Sequence, residues 1–177
     1  MSSAKHAPDE FHRQLPRLLP RLSRFGLALT RTQFAADDLV QAACELALNR
    51  INQWNPDSRL DSWMFRIMQT MWWNEIRARK VRDRYSDNEK VGRRSVQHDG
   101  PERRLFLIQA EQQILELPDE LRIVLVLVCV EGFSYREAAE TLDIPLGTVM
   151  SRLARARLLL AERLGELQGS DLAGDYA

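Results

Sequence analysis

Residues 131–163 read EGFSYREAAETLDIPLGTVMSRLARARLLLAER, and this stretch decides the fold. Gly132 ends one helix, as glycine does where a chain leaves a helix in the left-handed region. Ser134 and Glu137 then stand three apart. That is the spacing of a capping box, in which each side chain satisfies an orphan backbone N–H beside the other. Behind the cap, Ala138, Ala139 and Leu142 give a short helix a small-residue inner face that a second helix can approach closely. Asp143-Ile144-Pro145-Leu146-Gly147 forms a short turn containing glycine, as two closely packed helices require. The next helix sets Val149, Leu153, Ala156 and Leu160 on one face, at spacings of four, three and four. Thr148, Ser151, Arg152 and Arg155 occupy the other face. A basic helix face alone is commonly just solvated. Cap, turn and periodicity together predict a helix-turn-helix whose second helix offers hydroxyls and guanidiniums to a DNA major groove.

Upstream, apolar residues recur at three and four from Phe11 to Tyr85, the helical period. A first segment, Phe11 to Leu29, contains Pro16 and Pro20. An interior proline costs about 3 kcal/mol, so this segment is expected to be split or kinked. A second helix is expected over 35–51, a loop over 52–58 (NQWNPDS) and a third helix over 61–84. From 83 to 101 the sequence DRYSDNEKVGRRSVQHDGP carries glycine and proline and no apolar stripe, as a linker does. Helical patterning resumes over 103–116 and 118–131, with Asp119 and Glu120 in the first turn where the helix dipole favours acids. No β-alternation persists. The expectation is all-α: two small helical domains, 9–85 and 102–165, joined by a flexible linker, 86–101, and followed by a frayed tail, 166–177.

A length of 177 residues suits two small domains, and an apolar fraction of 45% is that of a globular chain. No run is apolar enough to span a bilayer, and the first ten residues lack an apolar signal core, so a cytoplasmic location is expected. Cys44 and Cys129 lie far apart, and His6, His12 and His98 are scattered, which predicts neither a disulfide framework nor a metal site. No nucleophile elbow, phosphate loop or carboxylate pair supports catalysis, and no cofactor is expected. Formal net charge is zero, yet residues 77–84 read RARKVRDR and the last helix carries Arg152, Arg155, Arg157 and Arg163. Local basic patches on a neutral chain fit a protein that meets DNA when a partner places it there.

Three blocks of the sequence resemble one family. Leu117-Pro118-Asp119-Glu120-Leu121-Arg122, Glu131 to Ala139 and Gly147 to Arg157 resemble region 4 of bacterial sigma factors. Asp37-Asp38-Leu39-Val40-Gln41 resembles the clamp-binding helix of sigma region 2. Ser62 to Ile67 followed by Asn74 to Arg79 resembles the helix that reads the minus-ten element. The resemblance runs from about Leu15 to Leu164, and the chain has no room for the further domains of housekeeping members, which points to the extracytoplasmic-function group. The pair Trp72-Trp73 resembles the general-stress branch. Gln69-Thr70, Ala42 and Met150 depart from the usual pattern and bear on promoter choice and clamp affinity rather than on class.

That resemblance implies a transcription initiation factor whose partners are RNA polymerase core enzyme (clamp and flap regions), promoter DNA and an anti-sigma factor. It assigns polymerase binding to Asp38, Leu39, Gln41 and Glu45. Asp38, Gln41 and Glu45 share one helical face, with Leu39, Ala43 and Leu46 expected to face inward. Minus-ten contacts fall to Asn55, Asp57, Ser58 and Arg59 in the loop and to Trp63, Arg66, Trp73, Asn74, Arg77, Arg79 and Lys80 on the third helix. Aromatic faces there can stack unpaired bases while cations follow the backbone. At least one of Trp63 and Trp72 is expected in the core. Minus-thirty-five contacts fall to Thr148, Met150, Ser151, Arg152, Ala154, Arg155 and Arg157, with Ser151 and Ala154 near base edges and the arginines near phosphates. Two other readings remain: a plain helix-turn-helix regulator, and a sigma-like decoy that binds an anti-sigma protein without touching DNA.

Overall fold

The computed structural model describes residues 7–83 and 110–172, and the expected linker, 86–101, lies outside them. The fold is all-α, with no strand among the described residues. The chain forms two compact units, one N-terminal and one C-terminal.

In the N-terminal unit, helix α1 (Ala7–Thr30), helix α2 (Gln33–Asn49) and helix α3 (Leu60–Asp83) pack pairwise against one another. Phe11, Leu18, Leu22, Phe25 and Leu29 of α1 meet Val40 and Ala43 of α2 and Met64, Phe65 and Met68 of α3 in a buried core. Of the two expected outcomes, split or kinked, a split is excluded: helix α1 runs unbroken through Pro16 and Pro20. Both prolines are exposed, so the carbonyls they leave without an N–H partner face water, and the buried apolar stripe on the other side offsets their cost.

The α1–α2 crossing is built from small residues. A Cβ placed on Gly26 would lie 3.2 Å from the Ala36 carbonyl oxygen and 3.3 Å from the Ala36 Cβ, so any side chain there would push the helices apart. The connection is only two residues long: Arg31 adopts φ 66°, and Thr32 caps α2 by accepting from the Ala35 N–H at 3.4 Å. This close approach sets the register of α2. Its buried stripe is Ala36, Val40, Ala43 and Ala47, whereas Leu39 and Leu46, expected to point inward, are half-buried at its edge.

In the C-terminal unit helix α4, described over 110–116, precedes α5 (Asp119–Leu125), which widens into a π-helical turn over Val126–Val130. Gly132, at φ 73°, ends that segment, and the Phe133 N–H closes it on the Leu127 carbonyl at 3.0 Å. The capping box forms as expected: the Ser134 N–H donates to Glu137 Oε2 at 2.8 Å, and the Glu137 N–H donates to Ser134 Oγ at 3.2 Å. It opens helix α6 (Tyr135–Leu142). In the following turn the left-handed residue is Asp143, at φ 53°, a conformation aspartate tolerates better than most. Gly147, expected in that turn, instead lies in the first turn of helix α7 (Leu146–Leu172). Helix α7 continues past Gly165, where fraying was expected, to Leu172.

Candidate functional site

Three surfaces carry the candidate residues. On α2, Asp38, Gln41 and Glu45 are exposed, and Gln41 Nε2 donates to Glu45 Oε1 at 3.0 Å. Leu39 stands beside this face rather than on it. Sequence reading missed Phe34, which is 79% exposed in the first turn of α2, and Leu48, exposed at its far end. The signal was available: neither residue fits the stripe of small residues that α1 covers. Burial, and secondarily the Glu45 charge, push the neighbouring Cys44 thiol above its ordinary value, which keeps it protonated and unreactive.

The second surface is the 55–59 loop with the outer face of α3. Trp54 anchors the start of the loop: it is buried, and its ring centroid lies 6.0 Å from that of Phe11. Asn55 Oδ1 accepts the Asp57 N–H at 3.0 Å, and the Ser58 N–H and Oγ both donate to the Asn55 carbonyl, at 2.9 and 2.7 Å. Asn55, Asp57, Ser58 and Arg59 are all exposed. Along α3, Trp63, Arg66, Thr70, Trp73 and Arg77 follow at spacings of three, four, three and four, opposite buried Met64, Phe65 and Met68. They form one stripe of alternating ring and cation, interrupted by the Thr70 hydroxyl, and Asn74 lies at its border. Trp63, Trp72 and Trp73 are half-buried; as expected for one of the helix tryptophans, Trp63 packs on the core, edge-on to buried Phe11 with ring centroids 6.2 Å apart, while Trp54 of the loop is buried more fully. Arg79 lies off the stripe: it pairs with Glu75 at 2.8 Å and sits 5.9 Å from the Trp72 ring centroid. The Lys80 side chain lies outside the described residues.

At the head of α3, Asp61 is nearly buried and receives both Arg21 and Arg59, each at 2.7 Å. Burial opposes its ionisation, but the hydrogen bonds and charges of the two guanidiniums outweigh it and hold the carboxyl below the usual aspartate range. A depressed folded value contributes stability that is present above the unfolded pKa, about 3.9, and is lost as pH falls through the folded one. The difference in denaturant midpoint between the parent and Asp61→Asn is therefore expected to hold steady from about pH 8 to 5 and to shrink below about pH 4. A difference that grows on acidification would contradict this.

The third surface is α7. Val149, Leu153 and Ala156 are buried and Leu160 half-buried, as the periodicity predicts. Ser151, Ala154, Arg155 and Met150 are exposed, Thr148 is half-buried, and Leu158, 60% exposed, continues the outer face. The arginines separate. Arg152 pairs with Glu120 at 2.6 Å on one flank, Arg157 lies 3.8 Å from the Cys129 sulfur on the other, and Arg155 projects outward between them. A Cβ on Gly147 would meet nothing within 4 Å, so packing does not demand glycine there.

Sequence reading also missed Arg122, whose side chain is wholly buried. It donates to the carbonyls of Leu117 (2.6 Å) and Leu115 (3.2 Å) and to Asp119 Oδ1 (2.7 Å), tying the end of α4 to the start of α5. A lone charge inside the apolar run 121–127 was the available signal. Among the described residues no group of three or more His, Cys, Asp or Glu is arranged to hold a metal ion.

Comparison with known proteins gives two family matches. Residues 107–160 match the model for sigma-70, region 4, and residues 15–69 match that for the sigma2 domain of PhyR. The chain is 32% identical over 146 residues to the ECF RNA polymerase sigma factor EcfG of Rhodopseudomonas palustris, covering 82% of this chain and 80% of that protein. Among solved structures it resembles sigma factor RpoE in its co-crystal with the anti-sigma factor NepR from Bartonella quintana. There the TM-score is 0.75 and the identity 28%, covering 88% of this chain and 96% of that one. It shares the fold of the anti-anti-sigma factor PhyR complexed with NepR from the same organism, with TM-score 0.53 and 18% identity, covering 86% of this chain and 51% of that one.

Proposed function

Since this chain belongs to the extracytoplasmic-function sigma factors of RNA polymerase, we propose that its three surfaces divide the work of promoter-directed initiation. The outer face of α2 docks on the polymerase clamp through Asp38, Gln41 and Glu45, with Phe34 and Leu48 as flanking apolar contacts. The 55–59 loop and the α3 stripe hold the unpaired minus-ten strand. The outer face of α7 reads the minus-thirty-five element. The observation that carries this reading is the stripe Trp63, Arg66, Thr70, Trp73 and Arg77, which alternates stacking surfaces with phosphate partners along one helix face. Phosphodiester chemistry then belongs to the polymerase, and the protein acts in the cytoplasm; among the described residues no helix is long and apolar enough to cross a membrane. The match to the sigma2 domain of PhyR is compatible with the general-stress branch.

The test of the stripe is binding of the holoenzyme to single-stranded non-template DNA. Alanine at Trp63 or Trp73 is expected to weaken binding by about 1 to 3 kcal/mol per stacked base, whatever the salt. Equal affinity of both variants and the parent would remove the assignment. On α7, Arg155→Ala is expected to lower the salt slope of promoter binding by about one and to weaken all promoters alike. Arg152→Ala and Arg157→Ala should change it less, because Glu120 and Cys129 hold those guanidiniums at the flanks.

Regulation by an anti-sigma factor is part of the reading, supported by the RpoE–NepR complex. A pull-down from uninduced cells should recover a protein that represses transcription by the holoenzyme. Recovery of polymerase subunits only, with constitutive activity, would point to control by synthesis. A second reading, a sigma-like decoy for an anti-sigma protein, is favoured by the PhyR match. It leaves the outward Arg155 without a task.

A further inference from the structure

A carboxylate that is nearly buried calls for a reason, and Asp61 has more partners than the packing of its helix requires. Asp61 is 9% exposed. Its Oδ2 accepts from Arg21 Nη1 on α1 and from Arg59 Nη2, each at 2.7 Å. Its Oδ1 accepts from Arg59 Nε at 3.0 Å and from the Ser62 N–H at 2.8 Å, in the first turn of α3. The two-pronged grip on Arg59 fixes the orientation of that guanidinium as well as its distance. Arg21 is steadied separately, 5.7 Å from the Phe65 ring centroid.

The buried core already joins α1 to α3, and the Arg21 contact ties Asp61 to α1. Arg59 is different: its side chain is 44% exposed, so it adds little to the core, and what it fixes is the end of the 55–59 loop. The start of that loop is fixed by Trp54 against Phe11, and its middle by the Asn55 side chain and carbonyl. A loop held at both ends, with Asn55, Asp57 and Ser58 exposed between, is shaped before anything binds and loses little freedom when something does. Trp63, the head of the α3 stripe, stands two residues beyond Asp61, so the same carboxylate fixes the loop relative to the stripe.

We propose that Asp61 is a positioning residue for promoter recognition: by bracing Arg59 against Arg21 and the start of α3, it holds the 55–59 loop in the shape that accepts one unpaired base. The inference rests on the reading of this loop as a minus-ten contact. Asp61 itself touches no DNA.

The experiment measures open-complex formation by holoenzyme, reconstituted from the full chain and core polymerase. The templates are a promoter selected with that holoenzyme and its single-base minus-ten variants. Asp61→Asn and Arg59→Gln are each expected to reduce discrimination at one minus-ten position by roughly tenfold and to leave minus-thirty-five preference intact. Because both act through one brace, the double variant should discriminate no worse than either single variant. An exposed Arg59 keeps that variant folded even where Asp61→Asn lowers the thermal midpoint. Additive losses would make Arg59 an independent base contact and overturn the brace. So would a uniform decline on all promoters that tracks thermal stability. Asn55→Ala and Ser58→Ala separate the two levels of the argument. If they relax the same base preference and Arg59→Gln does not, the loop reading stands and the brace falls. If none of the loop variants alters discrimination, the loop reading falls with it.

Discussion

Replacing Arg122 with alanine is expected to cost the C-terminal unit about 3 to 5 kcal/mol, the usual effect of breaking a buried, fully hydrogen-bonded charge network. The side chain is 0% exposed and satisfies the Leu115 and Leu117 carbonyls and the Asp119 carboxylate together. Truncation takes the donor away from all three acceptors at once and empties the space of a wholly buried side chain. Against a total stability of about 5 to 15 kcal/mol, that is a large share. Hydrogen exchange on the full chain should show lost amide protection in α5, α6 and the first half of α7, with α1 to α3 as the internal reference. Arg122→Lys should recover only part of it, since an ammonium cannot reproduce the planar fork. A change below about 1 kcal/mol would mean that water or a neighbour takes over the orphaned carbonyls, and the structural role would be wrong.

The second large effect concerns docking. Alanine at both Asp38 and Gln41 is expected to weaken binding to core polymerase by 2 kcal/mol or more, about thirtyfold, as loss of charged contacts at a desolvated interface does. Both side chains are exposed, and among the described residues the contact given up is the surface hydrogen bond from Gln41 to Glu45. Such a pair contributes a few tenths of a kcal/mol, so circular dichroism and the thermal midpoint should barely move. Phe34→Ala is expected to act in the same direction, because the ring is 79% exposed in the first turn of the same helix as Asp38 and Gln41. Undiminished core binding by the double variant would move the docking surface elsewhere.

Much of this architecture could be read from the residues because it depends on short-range rules. Ser134 and Glu137 are three apart, and their capping geometry is local. Val149, Leu153 and Ala156 are buried because helical period alone puts them together. What escaped depends on tertiary context. Helix α1 survives Pro16 and Pro20 because its other face is packed, which no local propensity records. The register of α2 follows from the Gly26–Ala36 approach, a contact between two helices, and it moved Leu39 and Leu46 off the core face. The role of Arg122 depends on the Leu115 and Leu117 carbonyls and on Asp119, partners that only the fold brings to it.

The candidate site divides in the same way. The α3 stripe was legible as individual residues, but Thr70, noted only as a departure from the family pattern, turned out to lie within it. Arg79 carries the same charge as Arg77, yet the two-residue offset takes it to another face, where Glu75 and Trp72 hold it. Arg152, Arg155 and Arg157 look alike in sequence, and only the positions of Glu120 and Cys129 distinguish the outward guanidinium from its two neighbours.

The most direct measurement is run-off transcription from genomic fragments with purified core polymerase, with and without this protein. The account predicts transcripts that begin at defined sites only when the protein is present, and that disappear with the Asp38→Ala, Gln41→Ala double variant. No defined start site with the intact protein, alongside tight binding to an anti-sigma protein, would contradict it and leave the decoy reading in its place.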